Sequence, residues 1–158
     1  MGMTTLPPRP GAFFSWAELQ VTQTGLLNDP TPEAKAALVR LCREILDPLR
    51  RAVGPIRVTS GYRSAVVNLA VRGSKTSSHR DGEAGDIKAL RPGVTSVALA
   101  LAAIRLGLPF DQLILYAPSR GGHVHISYRE GNNRGQVLYA PADGGYMTPD
   151  ALHLGPRP

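Results

Sequence analysis

Cysteine occurs once in these 158 residues, at Cys42, which excludes an intramolecular disulfide, a cysteine-built zinc site and a CxxC redox pair. Because Cys42 falls on the apolar stripe of a helix described below, it reads as core rather than nucleophile. Long apolar runs are missing too. Nothing approaches the roughly 18 uninterrupted apolar residues of a membrane-spanning helix, so membrane insertion is excluded. Residues 1–11 have no apolar segment behind a basic start, so no Sec signal peptide is expected. The chain is expected to be made in the cytoplasm and to need another exit route for work outside it. Aromatic residues make up only 6%, and no aromatic-basic alternation or helix-turn-helix signal accompanies them, which argues against specific nucleic-acid binding.

Arginine, in contrast, is abundant. Of 18 basic residues only Lys35, Lys75 and Lys88 are lysines, and against 12 acidic residues they leave a net charge of +6. Such basicity suits nucleic acid, acidic glycan or an anionic cell envelope and distinguishes none of them. The length fits one domain, since domains commonly run to roughly 100–200 residues, and the 42% hydrophobic content fits a folded core. A single domain over residues 1–158 is expected, a monomer, with loosely ordered ends at 1–12 and 141–158. With 17 glycines and 14 prolines, short elements and many loops are expected rather than a long bundle.

Ser15, as N-cap, with Glu18 as capping-box partner and Phe14 stapled on Leu19, predicts a short first helix. Thr31-Pro32-Glu33 opens a second, whose apolar residues Ala34, Leu38, Leu41, Cys42, Ile45, Leu49 and Val53 form one stripe ending near Gly54-Pro55. Strands are predicted at 56–60, 86–90, 113–116, 123–128 and 136–139, and helices at 64–71 and 94–106. Residues 73–85 are polar and glycine-punctuated, hence a loop. The pattern suggests an α+β fold, a small antiparallel sheet flanked by helices.

Three of the four histidines lie in two polar segments, Ser77-Ser78-His79-Arg80-Asp81-Gly82-Glu83-Ala84-Gly85-Asp86 and Gly121-Gly122-His123-Val124-His125-Ile126-Ser127. The glycines make a helix over the first improbable, so a loop running into a strand should bring His79 and Asp86 together. In the second, strand alternation puts His123, His125 and Ser127 on one face and Val124, Ile126 and Tyr128 on the other. One of these histidines would complete a His/Asp/His set and leave a fourth tetrahedral position for water, as catalytic zinc requires.

The run Ser77-x-His79-x-x-Gly82-x-Ala84-x-Asp86 resembles the SxHxxGxAxD signature of the zinc D-Ala-D-Ala carboxypeptidase family. That family groups with murein endopeptidases and phage L-alanyl-D-glutamate peptidases, and shares a metal-binding core with the hedgehog signalling domain. Ser60-Gly61-Tyr62-Arg63-Ser64 with Asn68 is similar to its SGYRS-x-x-x-N segment, Leu46-Asp47-Pro48-Leu49-Arg50 to the helix end before it, and Val124-His125-Ile126-Ser127 to its last ligand strand. The likeness runs from about residue 13 to 128. It implies Zn2+ held by His79, Asp86 and His125, with Arg63 holding a substrate carbonyl or carboxylate and Ser77 donating a hydrogen bond at the site, where a loop cap is the alternative.

One departure stands out. Many relatives carry a glutamate as general base three residues before the last histidine, and Gly122 stands there instead. His123 is similar to the histidine of the penicillin-insensitive murein endopeptidases and takes the role of base, with Glu83 a second candidate; His153, in the tail, is set aside. The expected activity is zinc-dependent hydrolysis of peptidoglycan stem or cross-link amides, by a carboxypeptidase or an endopeptidase such as a phage endolysin. It would act at the bacterial cell wall or from a virion. A catalytically inactive zinc-containing binding domain of the same fold is the alternative.

Overall fold

Capping chemistry sets the helices of the computed structural model, which describes residues 5–149. The ends at 1–4 and 150–158, including His153, lie outside the described residues. Ser15 and Glu18 form the reciprocal capping box of α1 (Trp16–Leu19), and Phe14 and Leu19, its staple positions, are both buried in the core. Thr31 caps α2 (Pro32–Leu41), which has Pro32 at its first position. The apolar stripe continues without interruption into α3 (Asp47–Val53), but the intervening residues Cys42–Leu46 are π-helical, with the Asp47 N–H donating to Cys42 O. Pro48 explains the wide turn. In a continuous α-helix its ring would press on the carbonyl four residues back and its missing N–H would leave that carbonyl without a donor, and a π turn just before it relieves both.

Ile56–Ser60 forms β1, Ala65–Ala70 α4 under a Ser64 cap, Ala84–Ala89 β2, Ser96–Arg105 α5, Gln112–Tyr116 β3, Val124–Ser127 β4 and Gln136–Ala140 β5. The strands make one sheet in the order β1-β2-β4-β3-β5. Three pairings are antiparallel, and the edge pairing of β3 with β5 is parallel, which makes the sheet mixed. β2 begins two residues before the expected position because Ala84 and Gly85 pair with Ser127 and Ile126. Helical residues Leu38, Leu41, Ile45, Leu46 and Leu99 pack on Ile87, Leu113, Val124 and Ile126 of the sheet, all fully or almost fully buried. Cys42 sits in this core with 0% exposure; burial, reinforced by Asp47 and Glu18, pushes its thiol far up, so it stays protonated and inert.

Polar anchors tie the periphery to this core. Asp47, 6% exposed, accepts the backbone N–H groups of Ala12 (2.9 Å) and Phe13 (3.4 Å), fixing the incoming chain. Asp111, 3% exposed, takes Nε (2.8 Å) and Nη2 (3.0 Å) of Arg134 and its backbone N–H (3.1 Å), locking the crossover before β5. Hydrogen bonds from Arg134 hold the Asp111 carboxyl below its ordinary range, against the opposing effect of burial. A carboxylate whose folded pKa is depressed contributes stability above its unfolded pKa, about 3.9, and loses it as pH falls through the folded value. Asp111→Asn is therefore expected to lower stability at pH 7 by about 2 kcal/mol. The gap to wild type should narrow below about pH 4 in urea titrations; a constant gap would assign the loss to packing instead.

Gly82 is required twice over. Its φ is +73° and a Cβ there would lie 2.3 Å from Ala34 O in α2. Gly82→Ala should cost about 3 kcal/mol in chemical denaturation, from left-handed strain plus displacement of backbone. Because Gly82 closes the turn carrying His79, the same change should disturb the site described next. Among the described residues no helix is long and apolar enough to cross a membrane.

Candidate active site and metal centre

Pairing of β2 with β4 sets Asp86 directly opposite His125. Val124 (1% exposed) and Ile126 (0%) point into the core, so alternation turns His123, His125 and Ser127 to the other face. His79 arrives from outside the sheet on a single 3₁₀ turn, Ser78–Asp81, capped by Ser77, whose Oγ accepts the His79 N–H. Ser77 thus performs the loop-cap role, and its residue also lines the cleft. The SGYRS-x-x-x-N segment frames the same histidine. Gly61 O accepts from His79 Nδ1 at 2.7 Å, the Arg63 N–H donates to His79 O, Ser64 caps α4, and Asn68 Nδ2 binds Ser74 O in the loop that leads to the turn. A Cβ on Gly61 would lie 2.3 Å from Leu19 O, so only glycine brings that carbonyl close enough.

Three buried ligand atoms converge. Asp86 Oδ1 lies 3.0 Å from His125 Nδ1 and 3.2 Å from His79 Nε2, and the two nitrogens are 3.2 Å apart. Since a carbonyl only accepts, Gly61 fixes the neutral His79 as the Nδ1–H tautomer and leaves the Nε2 lone pair facing the carboxylate. Lone pair against lone pair is unfavourable, and a cation shared by all three relieves it. The spacing fits: metal–ligand bonds of about 2.0–2.1 Å in a tetrahedron give edges of about 3.3 Å. Burial alone would raise the Asp86 carboxyl, but positive charge on the adjacent His79 and His125 holds it well below the usual carboxylate range, the direction in which a metal cation in their midst would also act. The carbonyl behind His79 is the outer partner that orients a metal-binding imidazole.

The profile of the family described as peptidase M15 matches residues 12–127. The chain belongs to the peptidase M15 family. A search of curated proteins gives no match. M15 peptidases are zinc-dependent, and His79, Asp86 and His125 supply a donor set suited to that metal. Membership thus supports a metallopeptidase, and this buried triad is a group that could hold its metal.

Around the triad, a cleft of about 590 Å³ is lined by residues including Arg63, Ser77, Gln112, Tyr116, His123, Arg129 and Tyr146. Arg63 donates from Nη2 to Asp86 Oδ2 at 3.2 Å and from Nε to Ser60 Oγ at 2.9 Å, which leaves Nη1 without a hydrogen-bond partner among the described residues. It steadies the ligand's second oxygen and still has a donor to offer. His123 Nε2 stands 3.8 Å from Asp86 Oδ2, and its ring stacks on Tyr116 with centroids 4.4 Å apart. Burial lowers its pKa, while Asp86 pulls the other way. Glu83 is absent from the cleft lining and binds Arg129 Nε at 3.1 Å.

The missing glutamate has a conformational correlate. Gly122 has φ +61°, and at the neighbouring Gly121, φ +107°, a Cβ would lie 2.8 Å from His123 Nδ1. The turn that seats the His123 ring leaves no favourable place for a side chain on either residue. Tyr116, Gln112 and Tyr146 escape the sequence reading. Tyr116 follows Ile114 on the same face of β3, a period-2 signal that could have exposed it; Tyr146 lies beyond the strands and carried none.

Proposed function

We propose that the chain hydrolyses amide bonds in the peptide stems or cross-links of bacterial peptidoglycan, as a carboxypeptidase or endopeptidase, with a phage lytic enzyme as one setting. The observation that carries this reading is the buried His79–Asp86–His125 set opening on a cleft that also holds Arg63 and His123. The substrate class rests on the SxHxxGxAxD and SGYRS resemblance. A surplus of positive charge suits approach to an anionic envelope.

His79, Asp86 and His125 would hold zinc, which would supply Lewis acidity toward the scissile carbonyl and toward water. The remaining work falls to the chain. Arg63, already fixed on Asp86 and Ser60, presents Nη1 to the carbonyl oxygen as negative charge develops there. His123, in the cleft beside the triad, takes a proton from water and returns it to the leaving amine. Gly61 O keeps His79 in the ligating tautomer, and Ser77 holds the turn that carries it. Arg63→Ala is expected to lower kcat/KM about a hundredfold or more, the loss typical for one oxyanion donor, with zinc retained. Full activity in that variant would make Arg63 a scaffold residue only.

The test of the reading is to incubate the zinc-loaded protein with purified peptidoglycan and identify new termini by mass spectrometry. New amino groups within stems or bridges indicate an endopeptidase, and released D-Ala a carboxypeptidase. No cleavage at full zinc occupancy would contradict the proposal and leave a zinc-containing binding domain.

A further inference from the structure

After β5 the chain folds back on itself. Tyr139 and Met147 exchange both backbone hydrogen bonds, at 2.8 and 2.7 Å, and the turn between them carries Gly144 and Gly145 at φ +99° and +72°. This strap lies beyond the residues matched by the M15 profile, yet Tyr146 from it lines the same cleft as the triad. Arg120 holds it there, since its Nη1 donates to Gly145 O (2.9 Å) and Pro141 O (3.3 Å). The same guanidinium lies 5.3 Å from the ring centroid of Tyr116 and 5.5 Å from that of Tyr146. The two tyrosines meet edge to face, centroids 6.4 Å apart at 83°, and their hydroxyls are 3.5 Å apart. Tyr116 in turn stacks on His123. An unbroken aromatic wall runs from the residue beside the triad to the rim.

Tyr146 ends that wall with 55% of its surface exposed. A free tyrosine on a surface strap has no need of a dedicated arginine, and an exposed ring held in place at a cleft is a binding surface with its ordering cost already met. Its hydroxyl is turned toward that of Tyr116 at 3.5 Å, too long for a strong hydrogen bond, and Arg120 lies against the ring, so the main surface it offers a ligand is the rest of the ring. Amide planes and small aliphatic side chains pack well on such a surface. We infer that Tyr146 is a substrate-binding residue that seats the peptide of the substrate against its ring, and that Arg120 is the positioning residue that holds it there. This rests on the peptidoglycan-peptide reading above and adds to it the rim residue that selects the substrate.

The test measures kcat, KM and zinc content for wild type, Tyr146→Ala, Tyr146→Phe and Arg120→Ala on one soluble peptidoglycan peptide. Tyr146→Ala should raise KM about tenfold, a loss typical of a truncated aromatic contact, with kcat within about twofold and zinc unchanged. Tyr146→Phe keeps the ring and should stay within about twofold of wild type. Arg120→Ala should reproduce the rise in KM although Tyr146 is still present. A wild-type KM in Tyr146→Ala overturns the inference, as does a fall in kcat alone or an equal loss in Tyr146→Phe. A wild-type protein that cleaves no such peptide refutes the underlying reading and the inference with it, so the two failures are told apart by the wild-type arm.

Discussion

Alanine at His79, Asp86 or His125 is expected to abolish stoichiometric zinc binding and to lower hydrolysis by at least about a thousandfold. Each residue contributes one of three atoms held 3.0–3.2 Å apart, and removing one leaves two, too few for a tight site. The effect should also appear in stability, because a metal that binds only the folded chain adds RT ln(1 + [L]/Kd), about 4 kcal/mol at a thousandfold excess. For a domain of this size that corresponds to a rise in Tm of about 10 °C on adding zinc. The rise should be seen in wild type and be absent from all three variants. Asp86→Asn is the sharpest form of the test, since it preserves shape in a 6% exposed position and removes only the charge. A zinc-dependent rise in Tm equal to that of wild type in Asp86→Asn would show that the metal sits elsewhere.

His123→Ala is expected to behave in the opposite way, retaining zinc while kcat falls by about 10²–10⁴, the range for loss of a general acid-base group. The two histidines are separated by one residue on the same segment, yet their surroundings differ. His125 points Nδ1 at Asp86 Oδ1 from 3.0 Å, within the ligand cluster, whereas His123 is stacked on Tyr116 and its Nε2 stands 3.8 Å from Asp86 Oδ2. That separation predicts a clean division: metal content follows His125, turnover follows His123. Measuring bound zinc and initial rate on the same samples checks it. If His123→Ala turned over at the wild-type rate with zinc bound, proton transfer would have to pass to another group.

What the sequence disclosed was chiefly local. The capping box at Ser15 and Glu18, the Thr31-Pro32 start and the alternation around His125 each depend on neighbours within a few residues, and all are present. The spacing of His79, Gly82, Ala84 and Asp86 was equally readable. Gly82 must pass against α2, Ala84 is 0% exposed, and Asp86 faces His125 across the pairing. Non-local features escaped. The parallel pairing of β5 with β3 depends on a crossover locked by Asp111 and Arg134, and short strands carry no sign of pairing direction. The π turn before Pro48 hid because the apolar stripe ran through it without a break. Gly122 was legible as a missing acid, but its left-handed backbone was not. Tyr146 reaches the cleft only through the Tyr139–Met147 fold-back, a contact no periodicity encodes.

A metal held by His79, Asp86 and His125 is proposed to drive amide hydrolysis. The most direct test of that role is the rate of cleavage of one peptidoglycan peptide by the same protein sample as purified, after chelation with zinc loss verified by elemental analysis, and after adding back one equivalent of zinc. Activity, its loss, and its recovery to near the starting rate are expected in turn. A chelated sample verified free of metal that still cleaves at the original rate would contradict that role.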